Sequence, residues 1–186
     1  QNHKRILFNG NGYTQEWVDE AEKRGLYNLV SLPDAMPHFI DGKNIDLYTR
    51  HHIFSKEEIY SRYEILLENY VKTIHIESLA LQDMVKKDFT PALISYVSDI
   101  SQEVLRKKEL LPSLPSTYEE TLITTLTHAS EEILTALKRL EKSTDKAEGT
   151  EDALTTARYY HDKVLEDMNT LRAAVDQAEA LIPGSY

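Results

Sequence analysis

The chain contains no cysteine, so neither a disulfide scaffold nor a thiolate metal site can be built from it, and that usage fits a reducing cytoplasm. Glycine and proline are scarce, six of each in 186 residues, so breaks are few and long regular elements are expected. No apolar run approaches the ~20 residues of a membrane-spanning helix, and no signal peptide is visible. Positive charge is in deficit: 21 Lys and Arg face 31 Asp and Glu, leaving a net charge of -10. Nucleic acid and anionic membrane are both held by basic surface, so this balance disfavours them as partners. Hydrophobic residues make up 41% of the chain, enough for a core and too much for a disordered polymer. The chain opens on Gln1 rather than methionine, which reads as a processed protein or a fragment.

What is present is dominated by the stretch from Phe54 to about Leu111. Ser55 followed by Glu58 is a capping box, and Phe54 with Ile59 forms a hydrophobic staple over the first turn. Behind them Ile59, Tyr63, Leu66, Leu67, Tyr70, Ile74, Leu81, Met84 and Val85 recur at helical spacing. Roughly 36 residues at about 1.5 Å each predict a rod on the order of 54 Å long. Pro91 should kink it, with Thr90 biased away from helical backbone. The pattern then resumes through Leu93, Ile94, Val97, Ile100, Val104 and Leu105.

Leu111-Pro-Ser-Leu-Pro115 is the clearest turn. Ser116 and Glu119 suggest a second capping box, leading into Tyr118, Leu122, Leu126, Ala129, Ile133, Leu137 and Leu140. The polar stretch 142–149 predicts the tip of a helical hairpin. Thr150 is the expected cap of the last helix, with Glu151 and Asp152 in its first turn. Leu154, Ala157, His161, Val164, Met168, Leu171, Val175, Ala178 and Ile182 alternate by three and four, as in a coiled-coil seam. The expected fold is all-α: a long kinked helix and an antiparallel hairpin in a three- to four-helix bundle over residues 55–186.

Residues 1–54 read as a separate segment with a short arm and small helices. Lys4 to Phe8 suggests a short strand or arm, and Asn9-Gly10-Asn11-Gly12 half of a phosphate-binding fingerprint. The third glycine and any further βαβ pattern are missing, which leaves a plain turn. Thr14 should cap a helix ending at Gly25, stapled by Tyr13 and Val18. Trp17 lies on its apolar stripe, as a packing residue rather than a ligand platform. Residues 31–37 begin a short helical piece interrupted by Pro37, and residues 43–51 a further weak helix.

Candidate chemistry is thin. His51-His52 are adjacent and cannot share a helix face. His128 and Glu131 reverse the order of a di-metal Glu-x-x-His motif and stand alone. Glu77 falls between Ile74 and Leu81 and is expected to be a buried carboxylate with a cationic partner. His161, on the seam, is expected to be packed, neutral and lowered in pKa. No serine lies in a nucleophile elbow. We assign no catalytic, cofactor-binding or metal residue, and from the residues alone the chain reads as a helical interaction piece.

Three stretches nevertheless resemble one family: residues 4–29 (KRILFNGNGYTQEWVDEAEKRGLYNL), 33–37 (PDAMP) and 61–84 (SRYEILLENYVKTIHIESLALQDM), with LRAAVDQAEAL at 171–181 more loosely. They are similar to the C-terminal region of type III glutamine synthetases. The order SLPDAM (31–36), then FSKEEI (54–59), is also similar to the end of the catalytic domain in glutamine synthetases generally. The resemblance implies a cytoplasmic enzyme that joins glutamate and ammonia using ATP and Mg or Mn, assembled as a dodecamer of two stacked rings. Its catalytic and nucleotide-binding residues would lie upstream, so none falls on this chain, and both ends are expected to be cut. The implied partners are an upstream catalytic domain and sister subunits, and the implied role is structure and assembly. The alternative is a free-standing acidic helical-bundle adaptor that binds partner helices; the opening KRILF and the catalytic-domain-like segment after it argue against that.

Overall fold

The capping box that opens the rod forms in full: the Glu58 N–H donates to Ser55 Oγ at 3.2 Å, and the Ser55 N–H donates back to the Glu58 carboxylate at 2.7 Å. The structure, a computed structural model, describes residues 7–146 and 152–186. Among these the fold is all-helical. The order is α1 (Gln15–Lys23), α2 (Leu32–Phe39), α3 (Gly42–Arg50), α4 (Lys56–Met84), a π-turn (Val85–Phe89), α5 (Thr90–Leu110), α6 (Thr117–Lys146), α7 (Ala153–Tyr159), a second π-turn (Tyr160–Val164) and α8 (Leu165–Glu179). Two compact units divide at residue 60.

In the unit up to Tyr60, α1 ends at Gly25, whose φ of +73° opens a paired terminator: Gly25 N–H donates to Glu22 O and Leu26 N–H to Ala21 O, both at 2.9 Å. α3 ends the same way, with His52 at φ +53° in the glycine position, its N–H on Thr49 O and that of Ile53 on Tyr48 O. Thr14 caps α1 by backbone position, but its hydroxyl turns back to Asn11 O. The expected Tyr13–Val18 staple is absent, because Tyr13 is fully exposed. Ser31 accepts from the Asp34 N–H, and Pro33 fits the first turn of α2, where its missing N–H is not needed. Pro37 lies inside the helix without ending it. Residues 4–6 of the expected arm lie outside the described residues; Leu7 and Phe8 form no strand.

In the second unit, α4, the π-turn and α5 run on as one helix of 55 residues. Thr90 is helical at φ -61° and ψ -44°, against the expectation from Pro91, because the chain adjusts one turn earlier: the Thr90 N–H donates to Val85 O, five residues back. This turn keeps the buried seam aligned. Leu67, Ile74, Ser78 and Val85 are buried, and the next buried positions are Leu93 and Val104. The eight residues from Val85 to Leu93 would overshoot two α-turns by about 80°; the extra residue housed in the π-turn absorbs the excess.

Across the rod, Lys86 pairs with Glu141 and Lys107 with Glu119, so α6 runs antiparallel to it. Arg139 meets Asp167, and Lys146 lies over the Tyr159 ring, so α7–α8 runs antiparallel to α6. His75 with Tyr160 and Tyr96 with Tyr186 then place the rod and last helix parallel. The result is a three-helix, up-down-up bundle whose core joins Ile74, Val85 and Leu93 to Leu126, Ile133, Leu137, Leu140, Val164 and Leu171. Burying each such side chain stabilises by roughly 1.5–3 kcal/mol.

Several seam expectations need correction. Leu66, Met84, Ile94, Leu105 and Tyr118 are exposed. Glu77 is exposed too, and its neighbour Ser78 is buried instead. His161 is not packed: the second π-turn carries Tyr160 inward, leaving His161 half-exposed with Nδ1 2.8 Å from Asp162. The box at Ser116 does not form, because Glu119 is drawn to Lys107 and Ser116 Oγ donates to Glu120. The expected tip begins too early: α6 continues through Lys146 with Ser143 and Thr144 buried, while 147–149 lie outside the described residues. Thr150 also lies outside them, and the cap of α7 is Asp152, which accepts from the Thr155 N–H at 2.7 Å.

Candidate functional site

The most enclosed polar chemistry sits between the helices of the bundle. Asp167, in the first turn of α8, is fully buried. Its Oδ1 is 2.5 Å from Arg139 Nε on α6 and 3.0 Å from Lys163 Nζ in the π-turn, one helical turn back. Two cations thus hold one carboxylate, while Oδ2 has no hydrogen-bond partner among the described residues. Ser78 and Gln82 on the rod and Thr144 on α6 form a second buried cluster. Ser78 Oγ lies 2.8 Å from Thr144 Oγ1, and Gln82 Nε2 donates to both hydroxyls, at 3.2 and 3.3 Å. Beside it, Tyr160 meets His75 Nδ1 through its hydroxyl at 3.0 Å. Apart from Asp167 Oδ2, these groups satisfy one another and consume each other's hydrogen-bonding capacity, which is the chemistry of register rather than of turnover.

A groove of about 720 Å³ lies beside the first π-turn, where the end of the last helix packs on the rod. Its floor is apolar, with Leu81, Val85, Phe89 and Val175, and its rim carries charges of both signs, including Lys87, Asp88 and Arg172. Tyr186 closes one end: its hydroxyl donates to Asp99 at 2.7 Å, which pushes the phenol pKa up. No group in the groove is placed as a nucleophile or an acid–base pair.

The residues singled out from sequence stay apart. His51 and His52 are exposed at the end of α3, and His128 and Glu131 are exposed on α6. Among the described residues no three His, Asp or Glu side chains converge on a metal-sized site. Trp17 is half-buried against Phe8, ring centroids 4.7 Å apart, with the Arg24 guanidinium over its face. The Gly10–Gly12 stretch is a turn closed on itself: Asn11 accepts from the Tyr13 N–H through its side chain and from Thr14 through its carbonyl. Missed from sequence was Asp167. A carboxylate one position before the seam residue Met168 gives no local sign that Arg139 will reach it from another helix.

A sequence model described as the glutamine synthetase C-terminal domain matches residues 1–108. A glutamine synthetase of Butyrivibrio fibrisolvens is 56% identical over 184 residues, covering 99% of this chain and 26% of that protein. A type-3 glutamine synthetase of Dictyostelium discoideum is 30% identical over 97% of this chain and 25% of its own length. One from Bacteroides fragilis is 28% identical over 94% and 24%. The chain thus spans about a quarter of the length of the curated relatives it matches. No helix among the described residues is long and apolar enough to cross a membrane. With its family model covering more than half of its residues, the chain belongs to the glutamine synthetase C-terminal domain family.

Proposed function

We propose that this chain is the C-terminal part of a type III glutamine synthetase, with residues 1–54 completing the catalytic domain and residues 55–186 forming a helical domain for assembly. The observation that carries the reading is similarity along nearly the whole chain, hairpin included, to a protein named as type-3. The parent enzyme would join glutamate and ammonia at the expense of ATP in the cytoplasm, with ATP and Mg or Mn held by residues upstream of Gln1. On this reading the chain alone is catalytically silent, and its partners are the upstream catalytic domain and sister subunits of a dodecamer. The outer side of the rod supports the assembly role: Ile76 and Leu79, one turn apart and facing away from the core, are both exposed.

The test uses the protein expressed from its complete reading frame. Glutamine formation should require ATP and a divalent cation. Ile76→Asp with Leu79→Asp should reduce the particle mass measured by light scattering. A full-length protein without ligase activity would defeat the family function, and an unchanged mass in the double variant would defeat the assembly role.

A further inference from the structure

The segment 26–30, Leu-Tyr-Asn-Leu-Val, joins α1 to α2 and belongs to neither. Leu26, Tyr27, Leu29 and Val30 are all exposed, Val30 by 80%. In an extended chain alternate side chains face opposite ways, and here both sets are apolar except for Asn28, with the Tyr27 ring stacked on His38 at 4.6 Å, close to the composition of a strand buried on two faces. Among the described residues, no backbone hydrogen bond uses the N–H groups of Tyr27, Asn28, Leu29 or Val30. Nearby, the described residues up to Tyr60 bury only Ala21, Pro33, Met36 and Ile59, while Leu47 and Ile53 stay exposed. A core that small does not support so much exposed apolar surface unless something covers it.

We infer that residues 26–30 are a docking strand whose occupant is the synthetase polypeptide that precedes residue 1. This rests on the reading above and names the surface by which the two parts join. The occupant follows from length: the matching family is a C-terminal domain, and about three quarters of each relative lies outside the region matched here. N–H groups with no backbone acceptor among the described residues, flanked by apolar side chains, suit addition to a sheet edge, with main-chain bonds giving affinity and side chains filling pockets on both faces.

Hydrogen exchange on the full-length enzyme tests this, comparing peptides that cover residues 26–30 in the native protein and in urea. Native exchange should be slower by about 100-fold or more, as for a packed strand. Val30→Asp should abolish the protection and Val30→Thr retain it. Native exchange within about threefold of the urea rate would overturn the proposal. So would protection that disappears on dilution to single subunits, since the cover would then be a sister subunit. Glutamine synthesis by the unsubstituted enzyme is scored separately, so an active enzyme with an unprotected segment sinks this inference alone.

Discussion

Ser78 and Thr144, 66 positions apart, place their hydroxyls 2.8 Å from each other in the bundle interior, where Gln82 bridges both. This contact fixes the rod against the end of α6. Thr144→Val keeps the shape but leaves Gln82 with one acceptor fewer in a buried site, and should cost about 1–2 kcal/mol. Lys142→Asp, two residues earlier and exposed, should stay within roughly ±0.5 kcal/mol. Equal shifts in the urea midpoint would show that the hydroxyl cluster contributes nothing particular.

The buried Asp167 carboxylate depends on cations from two elements. Arg139→Met leaves only Lys163 beside it and should destabilise by about 2 kcal/mol, discounted from the fully buried case because Arg139 is half-exposed. Adding Asp167→Leu removes the stranded charge and should recover part of that loss. A double variant less stable than Arg139→Met by the sum of independent effects would rule out coupling, read again by urea unfolding.

His52 performs a glycine's task with a side chain, at φ +53°. A left-handed non-glycine residue costs about 1 kcal/mol, so His52→Gly should raise the melting temperature of the unit that holds α3, and Gly25→Ala should lower it by a comparable amount. A neutral His52→Gly would mean that its contacts offset the backbone cost.

Two ion pairs clamp the turn between α5 and α6, Lys107 with Glu119 and Lys108 with Glu120. The hydrogen bond from Lys107 holds the Glu119 carboxyl below its ordinary value, and Lys108, with Ser116, does the same for Glu120. Since these folded values lie below the unfolded ones, their contribution is present above the unfolded carboxylate pKa and is lost as pH falls through the folded value. Lys107 is raised, chiefly by Glu119, so its share is present below the unfolded lysine pKa and fades as pH rises through the raised one. Glu119→Gln should therefore flatten the acid limb of the urea midpoint against pH, and salt should weaken the wild-type limb. An identical acid limb in both proteins would sink this assignment.

Local signals were legible and distant ones were not. The Ser55–Glu58 box involves groups three residues apart, and it forms as its spacing predicts. Ser116 with Glu119 has the same spacing and fails, because Lys107 comes within reach only once α5 and α6 lie side by side. The three- and four-residue alternation of the last helix was readable, but it cannot separate His161 from Tyr160 when a π-turn shifts the register between them. Glu77 and Ser78 differ by one position on a rod whose apolar face is broad, and the buried place goes to the smaller group. Asp167 was invisible for the reason Glu119 was misread: its partner Arg139 arrives from another helix. The resemblance, by contrast, rested on long stretches of residues and carried the family without any of these contacts.

The π-turn before Pro91 makes the rod sensitive to number in a way it is not sensitive to identity. Exchanging Lys86, Lys87 or Asp88, all exposed, leaves the helical phase untouched. Adding one residue to 85–89 would swing Leu93 and Val104 by about a quarter of a revolution away from α6, whereas removing one would relax the wide turn to ordinary pitch with Leu93 only about 20° short of two turns from Val85. Pro91 would then meet the regular ladder with no slack ahead of it. The stretch behaves as a vernier between two halves of one helix: point changes leave its setting alone, an insertion costs through the phase, and a deletion costs through Pro91.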